Sequence, residues 1–155
     1  MMIVFNTHTS DSQSENLISG IPTIDHAKPV AGFLTRPNAP NHGNCPGAFI
    51  WTGKFVTEPG KADEVVEALK ENLPYIESSE LDTISFVVFK GTDEPDTVFV
   101  WERYTSESAL RDVHHKSAGY ARLREKTGPL LKSRSINGYH EVAGFLTKEG
   151  GIVNA

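Results

Sequence analysis

The chain has 155 residues, 38% of them hydrophobic, which is enough for a single domain around one core. Its formal net charge of −5 argues against nucleic acid as a partner, because phosphates attract basic patches. No apolar run is long enough to span a membrane, the start of the chain has no basic signal-peptide region, and Cys45 has no second cysteine to pair with. We therefore expect a cytoplasmic protein without nucleic-acid or membrane partners.

The first 46 residues differ in composition from the rest of the chain. They are rich in Ser, Thr, Asn, Pro and His, and the stretch TRPNAPNHGNCPG is dense in turn formers. We expect residues 1–46 to be an N-terminal arm with a short strand near 30–35, and residues 47–155 to form the folded domain.

The hexapeptide VAGFLT occurs twice, at residues 30–35 and 142–147. No second set of strands and helices accompanies it, so it is not a trace of a duplicated domain. Either the arm uses its copy to cover a sheet edge, or two unrelated edge strands have the same short sequence because both meet the same structural need. In both cases we expect extended backbone, and the first copy should lie on the folded core or on a partner subunit because Val30, Phe33 and Leu34 are apolar.

The folded domain opens with a strand and a helix. GAFIWTGKFVT at 47–57 alternates, so that Phe49 and Trp51 share one face. The apolar residues of 61–77 then follow helical spacing, and Pro74 is expected to kink or end that helix.

A β-hairpin follows, then a second helix and a last strand. ISFVVFK and TVFVWERYT are joined by the charged turn GTDEPD. Ser106 should cap a helical region that runs to the break at Gly128-Pro129, with Glu107 in its first turn. The last strand should cover roughly residues 136–146.

The element order is an arm followed by β-α-β-β-α-β, which is the ferredoxin-like α+β fold, an antiparallel sheet with both helices on one face. The strand TVFVWERY is apolar on its other face as well, since Val98 and Val100 alternate with Phe99 and Trp101. A second apolar face has to be buried, most simply against another copy of the chain. We therefore expect a homodimer packed through the face opposite to the helices.

Two spaced motifs follow in this domain: Glu102-x-Tyr104-x-Ser106 with Ala109-Leu110, and His114-x-x-Ser117-x-x-Tyr120-x-x-Leu123. With these motifs, residues 47–144 resemble the antibiotic biosynthesis monooxygenase family. The resemblance implies a dimeric α+β barrel with a pocket between the sheet and the helices. Some members oxidise aromatic polyketide-type phenols with O2 and without metal or flavin, whereas others degrade haem or isomerise small sugar-like signals. The fold alone does not choose among these activities.

The chain departs from the family's usual pattern at two places. Asp82 stands where the family often has a glycine, and the motif histidine comes one residue later after Leu110 than usual. The start of the second helix can therefore differ, which leaves open which of two adjacent histidines faces the pocket.

Helix geometry separates these adjacent histidines. In a regular helix Leu110, Val113, His114 and Ser117 share the apolar face, whereas His115 points to solvent. Histidine titrates near neutral pH and suits general base catalysis, so His114 is the candidate base. The alternative is a histidine that only forms hydrogen bonds within the core.

Further candidates come from the strands and the second helix. Glu102 and Tyr104 lie two apart on a strand and share a face, so either could donate or accept a proton; Glu102 could equally be half of a surface ion pair. Aromatic rings of the first strand, together with Phe99 or Trp101, would form a slot for a planar substrate, although core packing explains each ring singly as well. The residues expected to bind substrate are Phe49, Trp51, Phe55, Trp101, Ser117 and Tyr120.

We expect neither a cofactor nor a metal. The resemblance implies that haem-degrading members use an Asn on the first strand and a Trp on the third; GAFIWTGKFV has no Asn, and Tyr104 holds the Trp position. His8, His26, His42 and Cys45 lack metal-ligand spacing, and no nucleotide-binding glycine pattern occurs.

The leading hypothesis is a cofactor-independent, monooxygenase-like tailoring enzyme of secondary metabolism. It would act on a small aromatic or polyketide-type substrate, with O2 as co-substrate and His114 as general base. One alternative is a non-oxidative isomerase or cyclase that uses the same base, and another is a ligand-binding dimer without catalysis. The sequence does not name the substrate.

Overall fold

The computed structural model describes residues 25–36 and 47–142. Its elements, in chain order, are β1 (Ala27–Phe33), β2 (Phe49–Thr57), α1 (Ala62–Ser79), β3 (Thr83–Gly91), β4 (Thr97–Tyr104), a π turn (Ala109–Val113), a 3₁₀ turn (His114–Lys116), α2 (Ala118–Thr127), a second 3₁₀ turn (Gly128–Leu130) and β5 (Leu131–His140). No helix in these two ranges is both long and apolar enough to cross a membrane.

The five strands of the described residues form an antiparallel sheet in the order β1-β3-β4-β2-β5. The last four strands and the two helices reproduce the β-α-β-β-α-β order, so the prediction of a ferredoxin-like α+β fold is confirmed. β5 starts earlier than expected, at Leu131, and ends at His140. It pairs with β2, for example Phe55 with Arg134, and so lies beside the strand that carries the candidate aromatic residues.

The main core lies between α1 and the sheet. Its members are apolar side chains spaced along one face of α1 and alternate residues of β3 and β4: Ala62, Val65, Val66, Leu69, Ile76, Phe86, Val88, Val98 and Val100. Burying a side chain of valine or leucine size contributes roughly 1.5–3 kcal/mol. Pro74 does not end the helix, which continues to Ser79. Pro74 is exposed, so the carbonyl that loses its backbone donor can bind water instead.

A second apolar cluster lies on the sheet face opposite to the helices. It consists of Val87, Phe89 and Phe99, with Ala27, Leu34 and Trp101 packed against it. The expectation that Phe99 or Trp101 lines the substrate slot is therefore wrong. Successive side chains of a strand alternate, so Glu102 faces the helices while Trp101 faces away from them.

The arm strand β1 extends the sheet along the edge of β3. The two strands pair antiparallel, with Gly32 opposite Val87 and Phe33 opposite Phe86. The first copy of VAGFLT is thus extended over Val30–Phe33 and lies on the folded core, as expected. Residues 143–147 of the second copy lie outside the described residues, so for them the expected extended backbone stays a prediction.

A glycine is required where β1 meets β3. Gly32 has a φ of 110°, and a Cβ at this position would stand 2.0 Å from the carbonyl oxygen of Phe86. Gly32→Ala should therefore lower the free energy of unfolding by more than the roughly 1–3 kcal/mol that such a φ alone costs. Urea unfolding measures the loss. Gly60→Ala is the control, because Gly60 also has a positive φ of 76° but no neighbouring atom within 4 Å. Equal losses in both variants would contradict a steric role for Gly32.

Candidate active site

A cavity of about 360 Å³ lies between the sheet and the helices, within the size range of small-molecule sites. One part of its wall is apolar and is formed by Trp51, Phe55, Val65, Leu69, Val100 and Leu123. The other part carries ionisable side chains, namely Glu102, His114, His115, Arg124, Lys132 and Arg134. A planar organic molecule can therefore meet apolar rings and titratable groups in the same space.

His114 forms a buried pair with Glu80. Each side chain is 2% exposed, and His114 Nδ1 lies 2.6 Å from Glu80 Oε2. Burial alone would lower the pKa of His114, but the hydrogen bond to Glu80 and the charges of Glu102 and Glu80 outweigh it, so the pKa is raised. Burial alone would raise the pKa of Glu80, but its bonds to His114 hold that pKa below the ordinary value. Both shifts favour an imidazolium–carboxylate pair.

The pairing leaves the second ring nitrogen of His114 free to act. Nε2 has no hydrogen-bond partner among residues 25–36 and 47–142, and the His114 ring lines the cavity. A carboxylate on Nδ1 fixes both the orientation and the tautomer of an imidazole, which is the arrangement used to present Nε2 to a substrate. The expectation that His114 faces the pocket is met in this geometry.

Glu102 and Tyr104 form the second buried polar pair. The Tyr104 hydroxyl donates to Glu102 Oε2, and both side chains are buried. Burial chiefly raises the pKa of Glu102, although the His114 charge and the Tyr104 hydrogen bond oppose it. Glu102 lines the cavity, whereas Tyr104 does not. Tyr104 therefore holds Glu102 in place from behind, and the surface ion pair considered for Glu102 does not form.

A π turn sets the direction of His114. The backbone N–H of His114 reaches the carbonyl oxygens of Ala109 and Leu110, so the turn is wider than in an α-helix. A π turn accommodates one residue more, which fits the extra residue between Leu110 and His114. Both of these residues are buried, whereas Val113 is 43% exposed. The expectation that Val113 shares the apolar face is wrong, because it assumed the regular helical repeat.

The helical region is interrupted at Ser117. Ser106 Oγ accepts from the N–H of Ala109 at 3.2 Å, so the expected cap at the start is present. Ser117 has extended backbone, with a ψ of 150°, and its Oγ accepts from the N–H of Tyr120 at 3.0 Å. A continuous helix from Ser106 to Gly128 is therefore wrong. Ser117 begins α2 and does not line the cavity.

His115 and Tyr120 form one side of the cavity. Their ring centres are 4.7 Å apart, and the Tyr120 ring centre is 5.0 Å from that of His114. His115 is half-buried and lines the cavity, so the expectation that it points to solvent is wrong. Burial and the His114 charge lower the pKa of His115, which favours the neutral ring. The π turn again explains the difference, since it rotates every later residue relative to a regular helix.

Two of the three expected aromatic residues of β2 line the cavity. The rings of Trp51 and Phe55 have centres 6.2 Å apart, and both contribute to the wall. Gly53 lies between them, and a Cβ there would stand 2.6 Å from the Phe55 ring. Phe49 lies outside the wall and packs against Tyr104, Ala109 and Leu110.

Arg36, in the arm, was not singled out by sequence reasoning although it supports the site. Its buried guanidinium donates to the backbone carbonyl oxygens of Glu77, Ile76, Thr83 and Glu80 at 2.5, 2.6, 2.6 and 3.0 Å. These carbonyls belong to the C-terminal end of α1 and the start of β3, where the partial negative charge of the helix end favours a cation. Arg36 therefore fixes the segment from which Glu80 reaches His114.

Comparison with known proteins assigns the family. A model of the antibiotic biosynthesis monooxygenase family matches residues 48–126, just over half of the chain. The chain belongs to this family. Membership supports a monooxygenase-like function in general terms. No functionally curated protein matches the sequence.

Several solved structures share the fold of this antibiotic biosynthesis monooxygenase family member. A Lactobacillus acidophilus protein, provisionally named a monooxygenase, is 19% identical over 81% of this chain and 58% of its own, with a TM-score of 0.62. A Fusobacterium nucleatum protein with the same provisional name is 12% identical over 86% of this chain and 58% of its own, with a TM-score of 0.67. This chain thus spans less than two thirds of either protein.

A third structure is aligned over nearly its whole length. A Caulobacter crescentus protein, provisionally named an antibiotic biosynthesis monooxygenase, is 18% identical over 64% of this chain and 93% of its own, with a TM-score of 0.59. At such identities the likeness shows the fold alone. Substrate and mechanism have to be argued from the cavity.

Proposed function

We propose that this protein is a cofactor-independent monooxygenase that acts on a small aromatic or polyketide-type substrate. The observation that carries the proposal is the buried His114–Glu80 pair beside a cavity walled by Trp51 and Phe55. The pair supplies a general base whose orientation is fixed, and the flat rings match a planar substrate. Family membership supports oxygen as the co-substrate.

The first step is removal of an acidic phenol or carbon proton by His114 Nε2. Because the pKa of His114 is raised by Glu80 and Glu102 against the effect of burial, a larger fraction of the ring is protonated at a given pH than in a free imidazole, and only the neutral fraction can accept this proton. The rate should therefore rise with pH up to that pKa and level off above it. After the transfer, Glu80 stabilises the imidazolium, which in turn stabilises the substrate anion across the cavity.

The oxidation needs no electron source besides the substrate. The anion passes one electron to O2, the resulting substrate radical and superoxide combine, and a carbon-bound peroxide forms. The peroxide takes the proton back from the His114 imidazolium and then loses water to leave a quinone, so one oxygen atom enters the product and the other leaves as water. The apolar wall limits access of bulk water to the reactive anion.

We propose in addition that the protein is a homodimer, as its family implies. Val87, Phe89 and Phe99 are already buried within the chain, partly by Leu34 of the arm. The apolar pattern of β4 therefore does not by itself require a partner. Sedimentation equilibrium at micromolar concentration measures the state, and a monomer there would contradict the proposal.

Oxygen uptake tests the proposed activity. With a panel of hydroxylated naphthalenes and anthrones, we expect uptake that survives dialysis against EDTA and that falls by about 10²–10⁴-fold in His114→Gln. His115→Gln is the neighbouring control and should change the rate far less. Turnover of a substrate without oxygen uptake would favour an isomerase or cyclase, and saturable binding without turnover would favour a ligand-binding protein. Either result would overturn the oxidative proposal.

A further inference from the structure

Three cations line one part of the cavity. Arg124 comes from α2, and Lys132 and Arg134 come from β5. All three are exposed, and Glu102 is the sole carboxylate lining the same cavity within the described residues. This single buried carboxylate, whose pKa burial raises, stands against three cations. The cavity wall is therefore electropositive although the chain as a whole has a formal charge of −5.

These three cations lack the ion-pair partners that several other cations of the described residues have. Within residues 25–36 and 47–142, none of the three forms an ion pair or a side-chain hydrogen bond; Arg124 only lies 5.9 Å from the ring centre of Tyr120. By contrast, Lys116 pairs with Asp112 at 2.7 Å, and Lys126, on the same helix as Arg124, pairs with Glu71. The positive groups at the cavity are thus left available to a ligand.

Their position relative to the base defines the shape of that ligand. The Tyr120 ring centre is 5.0 Å from the His114 ring centre and 5.9 Å from the Arg124 guanidinium carbon. Because His114 and Arg124 both lie near Tyr120 and line the same cavity, a molecule of one or two fused rings can contact His114 and a cation at the same time. Arginine pairs with a carboxylate through two parallel hydrogen bonds, which adds orientation to attraction.

We propose that the substrate is a hydroxylated aromatic carboxylate. Its carboxylate binds Arg124, Lys132 and Arg134, and its acidic phenol or carbon lies against His114. The inference rests on the proposed function in taking this cavity as the substrate site. It adds the charge of the substrate, because three cations without ion-pair partners in the described residues line this cavity.

A matched pair of ligands tests the proposal without requiring turnover. Calorimetric titration of the full chain with 1-hydroxy-2-naphthoic acid and with its methyl ester compares a carboxylate with its neutral counterpart. We expect the acid to bind at least about tenfold more tightly than the ester, a difference of about 1.4 kcal/mol, because only the acid can form charge-assisted hydrogen bonds with the cations. High salt should weaken the binding of the acid but not that of the ester.

Two variants assign the effect to the cations. In the triple variant Arg124→Gln, Lys132→Gln and Arg134→Gln, the preference for the acid should disappear, while ester binding stays within about twofold. Lys126→Gln removes one charge from the same helix but lies in the Glu71 pair, and it should keep the preference. Equal binding of acid and ester, persistence of the preference in the triple variant, or binding of neither ligand up to millimolar concentration would overturn the inference. A preserved acid preference without oxygen uptake would overturn the proposed oxidation alone.

Discussion

Glu80→Gln is expected to lower the pKa of His114 and to slow turnover by about 10²-fold or more. A glutamine oxygen can still accept a hydrogen bond from Nδ1, so the ring keeps its place but loses the charge that favours the imidazolium. Burial then dominates, and burial lowers the pKa of His114. NMR titration of the histidine ring signals measures this shift, with His114→Gln used to assign the signal.

The same variant has a stability signature that depends on pH. In the wild type the raised pKa of His114 contributes stability that is complete below the unfolded-state value near 6.5 and is lost as pH rises through the folded-state pKa. The lowered pKa of Glu80 contributes stability that is complete above 4.5 and is lost as pH falls through its folded-state pKa. The pair therefore stabilises the folded state most between pH 4.5 and pH 6.5.

Removing one partner of such a buried pair costs about 3–5 kcal/mol. Urea unfolding should show this loss for Glu80→Gln at pH 6, and a smaller difference from the wild type above the pKa of His114. Glu102 stays in the variant, and its raised pKa lowers stability as pH rises in both proteins, so the difference between them isolates the pair.

The surface pair of Glu107 and Arg111 supplies the control for this measurement. Glu107→Gln should cost no more than about 1 kcal/mol at either pH, because that pair is exposed. An unchanged pKa of His114 in Glu80→Gln, or a loss of stability that does not vary with pH, would contradict a charged pair at the cavity.

The element order was predictable because its signals are local. Period-two alternation predicts β2, and two closely spaced apolar runs joined by turn residues predict the hairpin of β3 and β4, so each strand can be recognised within about ten residues. The same alternation should have excluded Trp101 from the cavity, because Trp101 and Glu102 are adjacent on one strand. That error came from joining aromatic residues of two strands without following their faces through the sheet.

The candidate site was only partly predictable. His114 was identified by its motif, but its burial depends on a π turn that a regular helical repeat does not describe, which also misplaced Val113 and His115. Glu80 follows α1 in the polar stretch ESSELD and reads as a surface residue. Its role depends on a partner 34 positions away. Arg36 is harder still to identify, because its partners are backbone carbonyls, which leave no mark in the sequence.

Arg36→Met is expected to be the most destabilising single change in the arm. It keeps an unbranched apolar stem but removes the guanidinium, which leaves the carbonyls of Ile76, Glu77, Glu80 and Thr83 without this donor. Hydrogen bonds to a charged group contribute about 1.5–3 kcal/mol each and are not additive, so we expect a loss of roughly 3–5 kcal/mol in the free energy of unfolding. Arg36→Lys keeps the charge but not the planar set of guanidinium donors, so its loss of stability should lie between those of the wild type and Arg36→Met.

Because Arg36 donates to the Glu80 carbonyl, replacing Arg36 should also change the pKa of His114. Release of the end of α1 would weaken the contact between Glu80 and His114, and the pKa of His114 should then fall towards its value in Glu80→Gln. Arg122→Met is the matched control. Arg122 lies on α2, and within the described residues its guanidinium has no hydrogen bond or ion pair; its guanidinium carbon only lies 5.5 Å from the ring centre of Tyr75. It should change stability by less than about 1 kcal/mol and leave the pKa of His114 unchanged.

Deleting residues 1–46 removes β1 and Arg36 together, so it should destabilise the protein at least as much as Arg36→Met does. The deletion also removes the backbone pairing along β3, where the β3 edge would become free to pair with other chains. A destabilised Arg36→Met with an unchanged pKa of His114 would restrict Arg36 to a structural role. If the truncated chain kept the melting temperature, oligomeric state and turnover of the full chain, the arm would have no part in the site, and the repeated VAGFLT would be a coincidence.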